Sequence, residues 1–218
     1  MTEWGPPLVT PNVPLIHLPL KSYRISGKLA RMKNMGGFSL MELLVVIAIL
    51  AILTTLAVPS FQSMIASSSI RTATNDLMAT LAQARSNAIR RGARVTVCKS
   101  ANGSQCTTSG DWAQGWIVFN DDGHSGSSAN VDTGETITFA APSLTGGIVI
   151  NGNLDYVSFS ADGQPKNMSG SPYFGTLRIC STSSALTNSS RARDLKLSRA
   201  GRSVIEQAAN VAASCPAP

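Results

Sequence analysis

The stretch GGFSLMELLVVIAIL (Gly36–Leu50) opens a long run of apolar residues. From Phe38 to Val58 there are 21 residues, and Glu42 is the only charged one. At about 1.5 Å per residue this makes a helix of roughly 30 Å, the thickness of a bilayer core. A carboxylate in such a helix costs on the order of 2–3 kcal/mol on insertion scales, and groups of this kind are usually paired and functional. Two glycines, Gly36 and Gly37, stand immediately before Phe38. They allow a protease to approach an extended backbone closely. A cut after Gly37 makes Phe38 the amino terminus and sets its amine one helical turn from Glu42. The amine of a neighbouring copy is within reach of the same carboxylate.

The charge distribution agrees with a retained anchor. Of the net +6, residues 1–37 hold Lys21, Arg24, Lys28, Arg31 and Lys33 against Glu3, a net of +4. The rest has 13 basic and 11 acidic residues. The excess precedes the apolar run, where the positive-inside rule places it on the cytoplasmic side of a first span. A cleaved secretory signal fits less well, because the run is long, holds a glutamate and continues into further helical pattern. At 43% hydrophobic and 14% charged, the chain is not disordered. Its 218 residues suffice for one domain with an appended segment.

Past the span, Pro59 is expected to kink the helix. Ile70, Leu77, Leu81, Ala84 and Ala88 then form one apolar stripe that ends near Gly92. After Gly92 the period changes to two. RVTVC, WIVF, TITFA, GIVI, YVSF, TLRIC, DLKL and RSVIE are short alternating or β-branched runs separated by turn clusters such as SADGQPKN. The expected fold is α+β: a long N-terminal α-helix, transmembrane over 38–58 and amphipathic over 59–92, packed on a small antiparallel β domain over 93–218 with one sheet face buried against it.

GGFSLMELLVVIAIL resembles the class III signal of type IV prepilins and pseudopilins. Gly37, Phe38 and Glu42 match its cleavage, N-methylation and assembly residues in turn. DWAQGWIVFNDDG (Asp111–Gly123), Phe159 with Gly163, and Gly201 with Arg202 resemble the GspH/FimT group of pilin-like proteins. The resemblance implies a pilin-like fold and prepilin peptidase as a partner. It implies a single-pass inner-membrane protein with a periplasmic domain, assembled with other major and minor pilins into a type IV pilus. The alternative is a minor pseudopilin of a type II secretion system. A leader of 37 residues is long for this group, whereas MKNMGG from Met32 is an ordinary one. The true start is therefore expected at Met32, with residues 1–31 a misassigned extension.

Four cysteines lie beyond the span, in an oxidising compartment on this reading. They allow three connectivities. Cys98 and Cys106 flank a hairpin-like loop, and Cys180 with Cys215 would pin the tail, so these are the expected pairs. No cofactor or metal is expected: there is no C-x-x-C, and His124 is the only histidine after residue 37. GHSGS (Gly123–Ser127) lacks nucleophile-turn spacing, and no enzyme activity is expected. Arg193, Lys196, Arg199 and Arg202 form a basic stretch suited to phosphates. In the FimT branch a glycine-arginine-x-arginine motif is associated with DNA capture in natural transformation. Gly201 and Arg202 match it, while Val204 holds the second arginine's place and Arg199 offers charge across the turn.

Overall fold

The structure, a computed structural model, describes residues 37–123 and 126–218. The leader, with its expected start at Met32, lies outside the described residues apart from Gly37. The described residues fall into two units, one ending at Leu44 and the other spanning Val45–Pro218. The first holds the start of helix α1 (Leu40–Arg91), and the second holds the rest of α1 and all eight strands. Pro59 lies inside α1, which runs on through it unbroken.

The strands are β1 (Val95–Lys99), β2 (Trp116–Asn120), β3 (Ile137–Ala141), β4 (Ile148–Gly152), β5 (Tyr156–Phe159), β6 (Gly175–Ser181), β7 (Ala192–Leu197) and β8 (Ser203–Gln207). Each coincides with one of the eight period-two runs. They form two antiparallel sheets of four strands, ordered β3-β2-β1-β5 and β4-β6-β7-β8. The antiparallel β domain expected from the sequence is thus built of two sheets. The chain crosses between the sheets after β3, after β4 and after β5. In the second crossing, between Gly152 and Tyr156, Leu154 is buried and its carbonyl accepts the Trp112 indole N–H at 2.8 Å.

The helical stripe meets both sheets. Ile70, Leu77, Leu81, Ala84 and Ala88 are buried with Val95, Val97, Trp116, Val118 and Phe159 of one sheet and Ile150, Leu177, Ile179 and Leu195 of the other. Each large aliphatic side chain of this core contributes roughly 1.5–3 kcal/mol by leaving water. The opposite faces are covered too, because alternate residues point the other way. Cys98, Ile117, Phe119 and Tyr156 pack with Ala129 and Met168. Cys180 and Ala192 pack with Ala208, Val211 and Cys215 of the C-terminal tail. Trp112, Trp116 and Phe119 are all core residues.

Two turns are fastened to the helix by one side chain. Arg85 donates from Nε to the Gly163 carbonyl at 3.0 Å and from Nη2 to the Ala200 carbonyl at 2.8 Å. Gly163 and Gly201 both have positive φ, +73° and +77°. A Cβ on Gly201 would collide with the Gly163 carbonyl oxygen and crowd Arg85. Gly201→Ala is therefore expected to destabilise the chain by about 2–4 kcal/mol, through backbone strain and loss of the Arg85 bonds. Thermal melting in detergent checks this, and an unchanged melting temperature would mean that the turns have room to separate.

Candidate functional site

The first unit contains the start of the apolar helix. Ser39 stands just before α1, and its Oγ accepts the Glu42 backbone N–H at 3.1 Å. Leu43 N–H donates to the Ser39 carbonyl at 3.1 Å. S-x-x-E at a helix start is a capping box in sequence, and Glu42 also sits where the helix dipole favours negative charge. The signal for it is the S-x-x-E spacing of SLME, which the charge of Glu42 within an apolar run overshadows. Among the described residues the Glu42 carboxylate has no hydrogen-bond or ion-pair partner. Phe38 is 80% exposed, and nothing approaches the Gly37 Cα within contact distance of an added Cβ.

Along α1 the most apolar 18-residue window is wholly exposed, and the helix is long and apolar enough to cross a membrane. Leu43, Val46, Ile47, Leu50, Leu53, Phe61 and Ile65 are all exposed. From Ala66 onward the stripe residues become buried in the β domain. One helix thus carries two surfaces, an uncovered apolar one and a covered amphipathic one. An uncovered apolar length of this kind is suited to lipid or to other helices.

Sequence placed four basic residues together; the structure divides them. On β7, Leu195 and Leu197 point into the core, so Arg193 shares their face, while Lys196 points outward with Asp194. A spacing of three on a period-two strand puts Arg193 and Lys196 on opposite faces, which corrects the reading of one local cluster. Lys196 Nζ is also engaged, donating to Glu206 Oε2 at 2.7 Å, and that hydrogen bond holds its ammonium above the ordinary value. Beside it, Arg178 forms a two-pronged pair with Asp194 through contacts of 2.8 and 2.9 Å. Arg199 and Arg202 are exposed at the β7–β8 turn, with no acidic partner among the described residues. Arg199 lies over the Phe174 ring, 5.7 Å from its centroid.

Other charged groups serve the fold. Arg191 is buried and donates to the carbonyls of Ser181, Ser183 and Leu186. Lys99 is buried too, held by Asp155 at 2.8 Å and by the carbonyls of Thr108 and Gly110. The two acids of NDDG diverge. Asp121 is buried and accepts from Thr96, whereas Asp122 pairs with Arg91 at 3.2 Å. His124 and Ser125 lie outside the described residues. Among the described residues no group of three or more metal-ligating side chains comes together. The cysteines are joined as Cys98–Cys106 and Cys180–Cys215, with Cα separations of 5.6 and 6.2 Å.

Comparison with known proteins places these features. A family model described as type II transport protein GspH matches residues 73–201. A model of the prokaryotic N-terminal methylation motif matches residues 32–58. No curated protein matches the chain. Two crystal structures of the type IV minor pilin FimU from Pseudomonas aeruginosa strain PAO1, in different crystal forms, are similar. One is 19% identical with a TM-score of 0.46, covering 64% of this chain and 89% of that one. The other is 20% identical with a TM-score of 0.40, covering 62% and 91%.

Proposed function

We propose, on the premise that this chain belongs to the family of the type II transport protein GspH, that it is a minor subunit of a type IV pilus. Prepilin peptidase cuts it between Gly37 and Phe38, and the inner membrane stores it through residues 38–58 until assembly. The observation that carries the reading is the two-surface helix. Its first part is apolar, uncovered and within the match to the methylation motif, and its second part is buried in a β domain. The role is packing, with no reaction of its own. The apolar helix supplies lateral contacts to other pilins. Glu42 sets the axial register by pairing with an amine, either its own chain's or a neighbour's. The β domain stays outside the lipid, closed by its disulfides.

Fractionation tests this. With prepilin peptidase and the other pilins present, the shortened chain should appear in sheared filaments as well as in the membrane. Recovery from the membrane alone, with filaments present, would contradict the assignment. A second reading, a minor pseudopilin of a type II secretion system, is favoured by the family description. It predicts the same processing but association with a secretion machine.

A DNA-binding role for the β domain is supported by Arg199 and Arg202, which have no acidic partner among the described residues. Their contacts would be to phosphates, independent of sequence and steeply weakened by salt. Lys196 can join them only by leaving Glu206, and Arg193 lies on the other face of the sheet. A single copy would bind weakly, and several copies on one filament would raise binding by avidity.

A further inference from the structure

The outer face of the second sheet changes character along its length. Register partners share a face, so β6, β7 and β8 present side chains in rows. At one end Cys180 and Ala192 lie under the C-terminal tail. The next row, Arg178, Asp194 and Glu206, is ionic, and its charges are matched within the sheet or by Lys196. Then come Thr176, Lys196 and Val204. By alternation Phe174 and Ser198 stand at the far end, with Arg202 closing the turn through its carbonyl to the Ser198 N–H. Here the surface is aromatic, apolar and cationic at once. Phe174 is 47% exposed and Val204 39%, with Arg199 over the ring.

We propose that this end of the sheet, formed by Phe174, Arg199, Arg202 and Val204, binds single-stranded nucleic acid. A base takes the place of the Arg199 guanidinium over the Phe174 ring, and phosphates lie against the released Arg199 and against Arg202. The inference rests on the DNA-binding reading above and adds the form of the ligand. A duplex keeps its base faces inside, so an exposed ring on a flat sheet finds only phosphates and sugars there. A single strand presents both base faces and phosphates, and aromatic–base stacking is tolerant of sequence. Val204 points the same way. It lies two residues beyond Arg202 on the same strand face and adds exposed apolar surface beside the ring. Two uncommitted cations make a small footprint for a duplex held by charge alone.

The test uses the full chain in detergent micelles at low salt, with a fluorescein-labelled thymidine oligonucleotide and a duplex of equal length. Anisotropy should show tighter binding to the single strand. Phe174→Leu should weaken that binding roughly fivefold or more and affect the duplex markedly less. Phe174→Trp should retain it and show fluorescence quenching on titration with the oligonucleotide. Arg199→Ala with Arg202→Ala should weaken both ligands. Circular-dichroism melting confirms that each variant is folded. If the duplex binds as tightly as the single strand, or if Phe174→Leu changes nothing while the double arginine variant still loses affinity, the stacking site is refuted and phosphate contact stands. If neither nucleic acid binds, the DNA-binding reading falls, and the stacking site with it.

Discussion

Glu42→Ala is expected to enter the membrane at least as well as the parent chain and to fall roughly tenfold or more in the filament fraction, as a broken low-dielectric charge pair would. Removing a carboxylate from an apolar helix lowers the cost of insertion. Cleavage should be retained, because the bond that is cut is set by Gly37. What is lost is the partner for an amine in a filament from which water is excluded. The S-x-x-E pattern offers a competing account, in which the Glu42 side chain caps its own helix start; in the structure its backbone N–H alone is engaged there, by Ser39. Glu42→Gln separates the two, since glutamine preserves a capping box but cannot form an ion pair. Incorporation lost with both substitutions supports pairing. Incorporation lost with alanine and kept with glutamine assigns the residue to the cap. Quantitative immunoblots of sheared filaments against membranes give the ratio.

Cys180→Ser with Cys215→Ser should destabilise the chain by about 3–4 kcal/mol in the chain-entropy model. The bond closes a sequence separation of 35, against 8 for Cys98–Cys106, whose removal should cost about 2–3 kcal/mol on the same basis. The larger effect also has a packing cause. Cys215 anchors the tail whose Ala208 and Val211 cover Cys180 and Ala192. Asn151 donates to the Cys215 carbonyl at 2.7 Å, and Arg178 reaches the Pro216 carbonyl at 3.2 Å, so neither holds once the tail leaves. In detergent the melting temperature should drop by roughly 6–15 °C. A shift no greater than that of the Cys98→Ser, Cys106→Ser variant would show that the tail stays seated without its bond.

The parts of the fold legible in sequence were those set by local period. Ile70, Leu77, Leu81, Ala84 and Ala88 repeat as a helix stripe and are buried together. Each β run alternates between turn clusters, and each became a strand. Pairing across the chain was less legible. Nothing in GIVI or YVSF says that β4 joins β6 while β5 joins β1, because the choice depends on where the three residues between them turn. Arg85 could not be found from its own neighbourhood. Its role exists only once the Gly163 and Gly201 turns meet over the helix. The division of Arg193 from Lys196 was in principle legible, since three residues on a strand reverse the face. It was obscured by reading basic residues as a cluster in sequence rather than in register.

The account turns on where the chain is cut, because only a cut at Gly37 converts an apolar helix with a buried-charge cost into a subunit with a pairing amine. The direct measurement is N-terminal sequencing of the chain recovered from cells with active prepilin peptidase, with mass spectrometry to read methylation. The account predicts a sequence beginning at Phe38 and carrying an N-methyl group, with the uncut chain persisting when the peptidase is absent. A mature chain beginning at Ser60 or elsewhere beyond the span would instead mean an ordinary secretory signal, with no helix left for assembly.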